Sequence, residues 1–298
     1  MPRAVVSVPA ARAVSAGLAS GHRPRNRSAV VGTVIVASLI AFAILGPVLT
    51  GHDPYTSDFV YGISPDKLPV GPSSRFWLGT DRLFRDELSR LASGARISLF
   101  IGIAATAIAT VIGGVVGIVA GWFEGKLLDA ALMRVVDVGL AFPFLLLVMA
   151  LAAALDHTTP VTVLLTLGLT GWLGTARIIR AKTMQLRNLD FVTAARALGQ
   201  TTPSILVRHI LPNVAGPLLV VATVSVAQMI LAESVLSYLG AGIAPPTPTW
   251  GHMLFEGQDY FSTSPWISLA PAFAIMASVL GFNLLGEGLR DALDPRKQ

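Results

Sequence analysis

Few residues in this chain are placed to do covalent chemistry. Its five histidines include no pair at metal-ligand spacing, and no serine, histidine and aspartate are set out as a hydrolase would need. Cysteine is absent, which excludes disulfides, thiolate metal sites and cysteine nucleophiles. Gly125-Lys126 comes nearest to a phosphate-binding loop, but Leu127 stands where a serine or threonine belongs, and position 120 is alanine rather than glycine. The chain is therefore expected to be a non-catalytic protein with no metal of its own. Three acids interrupt long apolar stretches: Asp137, Glu233 and Glu287. Asp137 and Glu287 lie close enough to the ends of their stretches to be solvated. Glu233 is the stronger functional candidate, with structural hydrogen bonding as the simpler reading. No run of buried acids and histidines suggests a proton relay.

The elements that carry these residues are membrane spans. Of 298 residues, 53% are hydrophobic and 13% charged, with a mean hydropathy of +0.67. Soluble domains carry about 25% charged residues, so much of this surface must face lipid. The pI near 10 does not point to nucleic acid, because the basic residues sit mainly between apolar blocks, where loops beside a membrane would be. Six blocks have span length: 29–49, 97–122, 135–155, 161–179, 214–239 and 266–285. The first is too long for a signal-peptide core and reads as an uncleaved span. The fold class is thus all-α, a polytopic membrane protein of about six helices in a cell membrane, plasma or inner.

Charge sets the expected orientation. Residues 1–28 form a basic tail with Arg3, Arg12, Arg23, Arg25 and Arg27, and the loops that share its side hold Lys126, Arg134, Arg180, Lys182, Arg187, Arg196 and Arg208. The short opposite loops, 156–160 and 241–265, contain no lysine or arginine. Both termini are expected in the cytoplasm, with a transmembrane domain over 29–290 and a short tail over 291–298. The outer segment 51–95 is the exception, with Lys67, Arg75, Arg82, Arg85 and Arg90. Its stretch through Glu87, Leu88, Leu91 and Ile97 is amphipathic and is expected to lie at the outer interface, with Phe76 and Trp77 as candidate contact residues.

Packing signals lie within the spans. Gly113, Gly117 and Gly121 recur every four residues on one helix face, which admits a close backbone neighbour. That neighbour is either another span of this chain or a helix of a second chain. Gly168, Gly171 and Gly174 cluster similarly in the fourth span. Pro143 should bend the third span, since it removes a backbone donor and clashes with the preceding turn.

The loop over 180–212 has the character of folded structure. Asp190 reads as a helix cap, followed by Phe191, Ala194, Ala195 and Leu198 on one apolar stripe, and Gly199 as a left-handed stop. Thr202 and Pro203 open a second short helix, and Pro212 closes the segment. Two short helices with a sharp bend would form a knob below the membrane.

At these residues the chain resembles a known family. TAARALG (193–199) and HILPN (209–213) are similar to the cytoplasmic signature of binding-protein-dependent ABC importer permeases. The resemblance implies that Asp190, Thr193, Ala194, Ala195, Gly199, Ile210, Leu211 and Pro212 belong to a coupling element seated on an ATPase subunit. Thr193 departs from the pattern, which has glutamate there. If 193 is the third helical position, threonine loses a reciprocal bond to the cap and a favourable charge, worth several tenths of a kcal/mol. Residues 76–99, 233–251 and 283–296 resemble the C-type subunit of dipeptide and oligopeptide permeases, with Phe84 where a glycine is usual.

The resemblance implies half of a heterodimeric pore. Its partners would be a second homologous permease, ATPase subunits with two nucleotide-binding domains that hold ATP and Mg, and an extracytoplasmic substrate-binding protein. Nickel importers share the pattern and keep the cargo open. Two other readings compete. A stand-alone secondary transporter or channel would favour an internal repeat. A membrane scaffold would have no need of two tightly capped helices.

Overall fold

The computed structural model describes residues 27–155 and 159–293. Nearly all of the expected basic tail, the loop tip 156–158 and the final residues 294–298 lie outside the described residues. Among the described residues the regular structure is helical, with two isolated β-bridges in the outer segment. The first span is α1 (Arg27–Leu49) and the second is α2 (Glu87–Trp122). A broken pair follows, α3 (Leu127–Ala141) and α4 (Phe144–Ala153), then α5 (Pro160–Thr170) and α6 (Trp172–Arg187). The projection is α7 (Asp190–Ala197) and α8 (Thr202–Ile205). The remaining helices are α9 (Leu211–Tyr238), α10 (Trp250–Gly257) and α11 (Trp266–Leu293). Five continuous helical stretches are long and apolar enough to cross a membrane, and the bent α3–α4 pair makes a sixth.

The third span is broken rather than bent. Its two halves meet at 88° across Phe142 and Pro143. Proline has no N–H to donate and disfavours helical backbone at the residue before it. Phe142 is extended accordingly, with ψ of 137°, and Pro143 becomes the N-cap of α4.

α2 is the central element, packed against α1, α5, α6 and α9. At about 1.5 Å per residue its 36 residues span about 54 Å, well beyond a hydrocarbon core of about 30 Å. The extra length lies at its N-terminal end. Asp86 caps that end by accepting from the Ser89 N–H at 2.8 Å. The stretch from Glu87 to Ile97, expected at the outer interface, is therefore the start of α2, and Glu87, Arg90 and Leu91 are buried.

The glycine face of α2 is filled from within the chain. A Cβ at Gly113 would come within 2.7 Å of the Trp172 carbonyl oxygen, one at Gly117 within 2.6 Å of that of Ala176, and one at Gly121 within 2.6 Å of that of Arg180. All three neighbours lie on α6. Of the two expected partners for this seam, the intrachain span is the one present, and a second permease cannot occupy the same face.

Candidate functional site

The projection is built as a rigid unit. Gly199 adopts φ of +76°, a conformation only glycine enters at little cost. That lets the Gln200 N–H donate to the Ala195 carbonyl at 3.1 Å and the Gly199 N–H donate to that of Arg196 at 2.9 Å, the paired bonds of a Schellman stop. The expected caps at the other ends differ. Leu189 is the N-cap of α7, Asp190 is its first helical residue, and the Asp190 side chain makes no capping bond. Asp190 still places negative charge in the first turn, where the helix dipole favours it. Thr193 is then the fourth helical position, one turn above Leu189, so a reciprocal cap with residue 190 is not available. Thr201, not Thr202, precedes α8, also without a side-chain cap.

Pro212 does not close the segment. α8 passes through a π-helical turn, Leu206–Ile210, straight into α9. The Leu211 N–H donates to the Leu206 carbonyl, and Pro212 supplies no donor for the next position. Asn213 compensates through its side chain, which donates to the His209 carbonyl at 2.7 Å. The second short helix is thus the root of the fifth span, continuous with it from Thr202 to Tyr238, and movement of one moves the other.

The two faces of α7 divide cleanly. Val192 and Ala195 are buried with Ile205, Ile210 and Val214 against Ile118 and Trp122 of α2 and Ile179 and Leu186 of α6. Phe191, Ala194 and Leu198 face outward, and Leu198 is 81% exposed. Leu211 is also exposed, whereas Ile210 is fully buried. The expected stripe is therefore a surface, with Ala195 as the exception that anchors it. Polar contacts brace the same region. The Arg196 guanidinium lies 4.6 Å from the Trp122 ring centroid, and Arg187 donates to the Trp122 carbonyl at 2.8 Å and pairs with Glu124 at 3.2 Å. Arg180 holds Asp129 with two bonds, at 2.7 and 2.8 Å, and Arg177 pairs with Asp137 on the exposed surface.

At the opposite end, a charge cluster escaped sequence reasoning. Arg85 and Arg90 each contact Asp81, at 2.6 and 3.0 Å, and Glu256 of α10 takes Arg90 at 2.8 Å, Arg82 at 3.1 Å and Arg85 at 3.4 Å. Burial would raise the Glu256 carboxyl, but the nearby His252 and the charges of Arg90 and Arg85 outweigh it and pull its pKa down to about 2. α10 itself lies within 241–265, which was expected to be a short loop. It is seated by Trp250, fully buried, whose indole donates to the Leu91 carbonyl at 3.1 Å. The alternating acids and bases of Asp81 to Arg90 were a visible signal, but their partner in α10 was not.

Three remaining candidates also find their places. Glu233 is fully buried and accepts from Ser98 at 2.9 Å and Ser237 at 2.7 Å, a hydrogen-bonded tie between α2 and α9. Phe76 is 2% exposed and packs its ring 5.2 Å from that of His52, so it is unsuited to contact a partner. Trp77 is 64% exposed and keeps that possibility. Phe84 has φ of +62°, which explains physically why glycine suits this position.

The fold and these sites define a multi-pass helical membrane protein with a rigid helical projection rooted in its spans. Residues 113–298 match the model of the binding-protein-dependent transport system inner membrane component, and residues 25–67 match that of the N-terminal TM domain of oligopeptide transport permease C. The chain belongs to this binding-protein-dependent transport permease family. A dipeptide transport system permease protein, DppC, of Alkalihalophilus pseudofirmus is 38% identical over 272 residues, covering 91% of this chain and 87% of the relative. An oligopeptide transport system permease protein, OppC, of Bacillus subtilis is 39% identical over 271 residues, covering 91% and 86%. The MetNI methionine ABC transporter, in an inward-facing conformation, shares the fold with a TM-score of 0.52 at 17% identity, over 68% of this chain and 96% of that one.

Proposed function

We propose that this chain is one of two permease subunits of an ATP-driven importer of dipeptides and oligopeptides, and that it forms half of the translocation path. The observation that carries the coupling role is the division of α7. Val192 and Ala195 weld the projection to three spans, while Phe191, Ala194 and Leu198 are left bare for another protein. An apolar face of this kind costs free energy in water unless a partner covers it. An ATPase subunit is the partner that fits an importer permease. The peptide cargo is supported by the names of the relatives at 38–39% identity.

In this reading both termini and the projection lie in the cytoplasm, in the plasma or inner membrane. A second, homologous permease completes the path, and a binding protein delivers cargo to the outer face, where Trp77 is placed to meet it. ATP and Mg sit on the partner ATPases. Their closure pushes α7, and the π turn passes the displacement to α9 without a hinge, so the spans rock between two access states.

The test is affinity capture of the tagged chain in mild detergent, followed by Ala194→Asp in the reconstituted complex. Recovery of an ATPase and a second permease, with ATP hydrolysis retained but transport lost in the variant, is expected. Full transport by the variant would refute the assignment of α7, and capture of the chain alone, still moving solute in liposomes, would refute the importer.

A further inference from the structure

Two cavities flank the fourth span and share part of their walls. The first, of about 420 Å³, lies beside the break in the third span and is lined by Phe142, Leu145 and Leu231 among others. The second, of about 310 Å³, runs between α6 and α9 past Thr175, Val224 and Ser225. Gly171, Gly174 and Gln228 line both. A Cβ at Gly174 would meet nothing within 4 Å, so the space there is open. The cavities are two ends of one groove, and no charged residue lines either end.

Gln228 is out of place on a lipid-facing surface. Its side chain is exposed and makes no hydrogen bond among the described residues, yet it sits about 15 Å from the end of α9 at Tyr238. That is the depth of the middle of a hydrocarbon core about 30 Å thick. An amide left without a partner in hydrocarbon costs several kcal/mol. The exposed surface of α1 or α11, by contrast, is built from residues such as Val34, Ile44, Phe273 and Leu280. Water, a polar solute or a polar group of a partner chain must therefore reach Gln228, and the open groove beside it favours the first two.

We propose that Gln228 is a specificity-determining residue on the wall of the translocation path, where its amide hydrogen-bonds passing cargo. The proposal rests on the importer reading and narrows it. A primary amide both donates and accepts, so it pairs with the N–H and C=O of a peptide unit whatever side chains the peptide carries. The uncharged wall neither captures nor repels charged side chains strongly. A bare divalent cation would call for carboxylate or imidazole ligands, and the groove supplies none among its lining residues.

The chain has no cysteine, so Gln228→Cys introduces one uniquely identifiable thiol. In membrane vesicles carrying the full importer, a charged, water-soluble thiol reagent should modify it at least about tenfold faster than Leu280→Cys, a lipid-facing control. Modification only by a lipid-soluble reagent would place the residue against lipid, and no modification by either would place it under the second permease. Either result overturns the proposal. In the same vesicles, Gln228→Glu should lower the uptake ratio of Ala-Glu-Ala to Ala-Lys-Ala by about tenfold, because a like charge in a partly dry path repels. A ratio within about twofold of the wild type also overturns it. Absence of ATP-dependent uptake of either peptide and of trialanine by the wild type would instead refute the importer reading, while the thiol rates would still decide whether position 228 faces an aqueous path.

Discussion

Replacing Glu256 by glutamine should destabilise this permease by about 3 kcal/mol. Glu256 is 4% exposed at its side chain and faces Arg90, which is 1% exposed, at 2.8 Å. Arg82 and Arg85 also point at it. Breaking a buried ion pair by removing one partner costs about 3–5 kcal/mol. Arg85 and Arg90 keep Asp81 after the change, which puts the expected loss at the lower end. The pKa leads to the same magnitude, since a fall from 4.5 to about 2 is worth on the order of 3 kcal/mol at neutral pH. At roughly 2–4 °C per kcal/mol for a chain of this size, the melting midpoint in detergent should drop by about 6–12 °C.

The same linkage fixes a pH dependence. Because folding depresses the carboxyl, its contribution is complete above about pH 4.5 and is lost as the pH falls from there toward 2. The gap between wild type and Glu256→Gln should therefore be constant from neutral pH down to about 5 and shrink below it. The pair Arg90→Met and Glu256→Met should recover part of the loss, since an apolar pair leaves no buried charge unpartnered. A variant melting within about 2 °C of the wild type at pH 7, or a gap unchanged at pH 3, would show that the cluster is hydrated rather than buried.

Two further predictions follow from backbone geometry. Gly117→Leu should lower the midpoint by the equivalent of about 2–3 kcal/mol or prevent folding, because its Cβ would sit 2.6 Å from a carbonyl oxygen of α6 that has no freedom to retreat. Gly216→Ala, whose nearest neighbour would be Leu293 at 3.7 Å, should be neutral or slightly stabilising. A Gly117→Leu variant as stable as wild type would mean that α6 is not held against α2. At position 84, Phe84→Gly should melt higher than Phe84→Ala by about 1 kcal/mol, since both lose the ring contact with Phe59 and only glycine is free at φ of +62°. Equal midpoints would show that the turn relaxes away from the left-handed region.

Span positions were legible in the chain itself, because hydropathy is a local property and lipid demands an unbroken apolar run. The six blocks correspond to α1, α2, the α3–α4 pair, α5 with α6, α9 and α11. The same holds for Gly199, whose left-handed stop depends only on its own φ, and for the motif around Ala194. The expectation for Asp190 failed by one residue, because a cap is decided by backbone geometry at the helix entrance and not by side-chain type alone. Pro143 announced a disturbance, but not that it would turn the chain by 88°.

What tertiary structure decided is which distant residues meet. Arg90 and Glu256 lie 166 positions apart, and Ser98 and Glu233 lie 135 apart. No local pattern carries such pairings, which arise only when the spans pack. The glycine stripe was visible in the sequence, yet only packing shows that α6 fills it. Phe191 and Val192 are neighbours of similar polarity, and which of them faces the core depends on where α2 and α6 stand. In the sequence Gln228 is a single polar residue in an apolar run. Its meaning depends on two cavities that exist only once α6 and α9 are set side by side, because depth and exposure belong to the assembled helices and not to the chain.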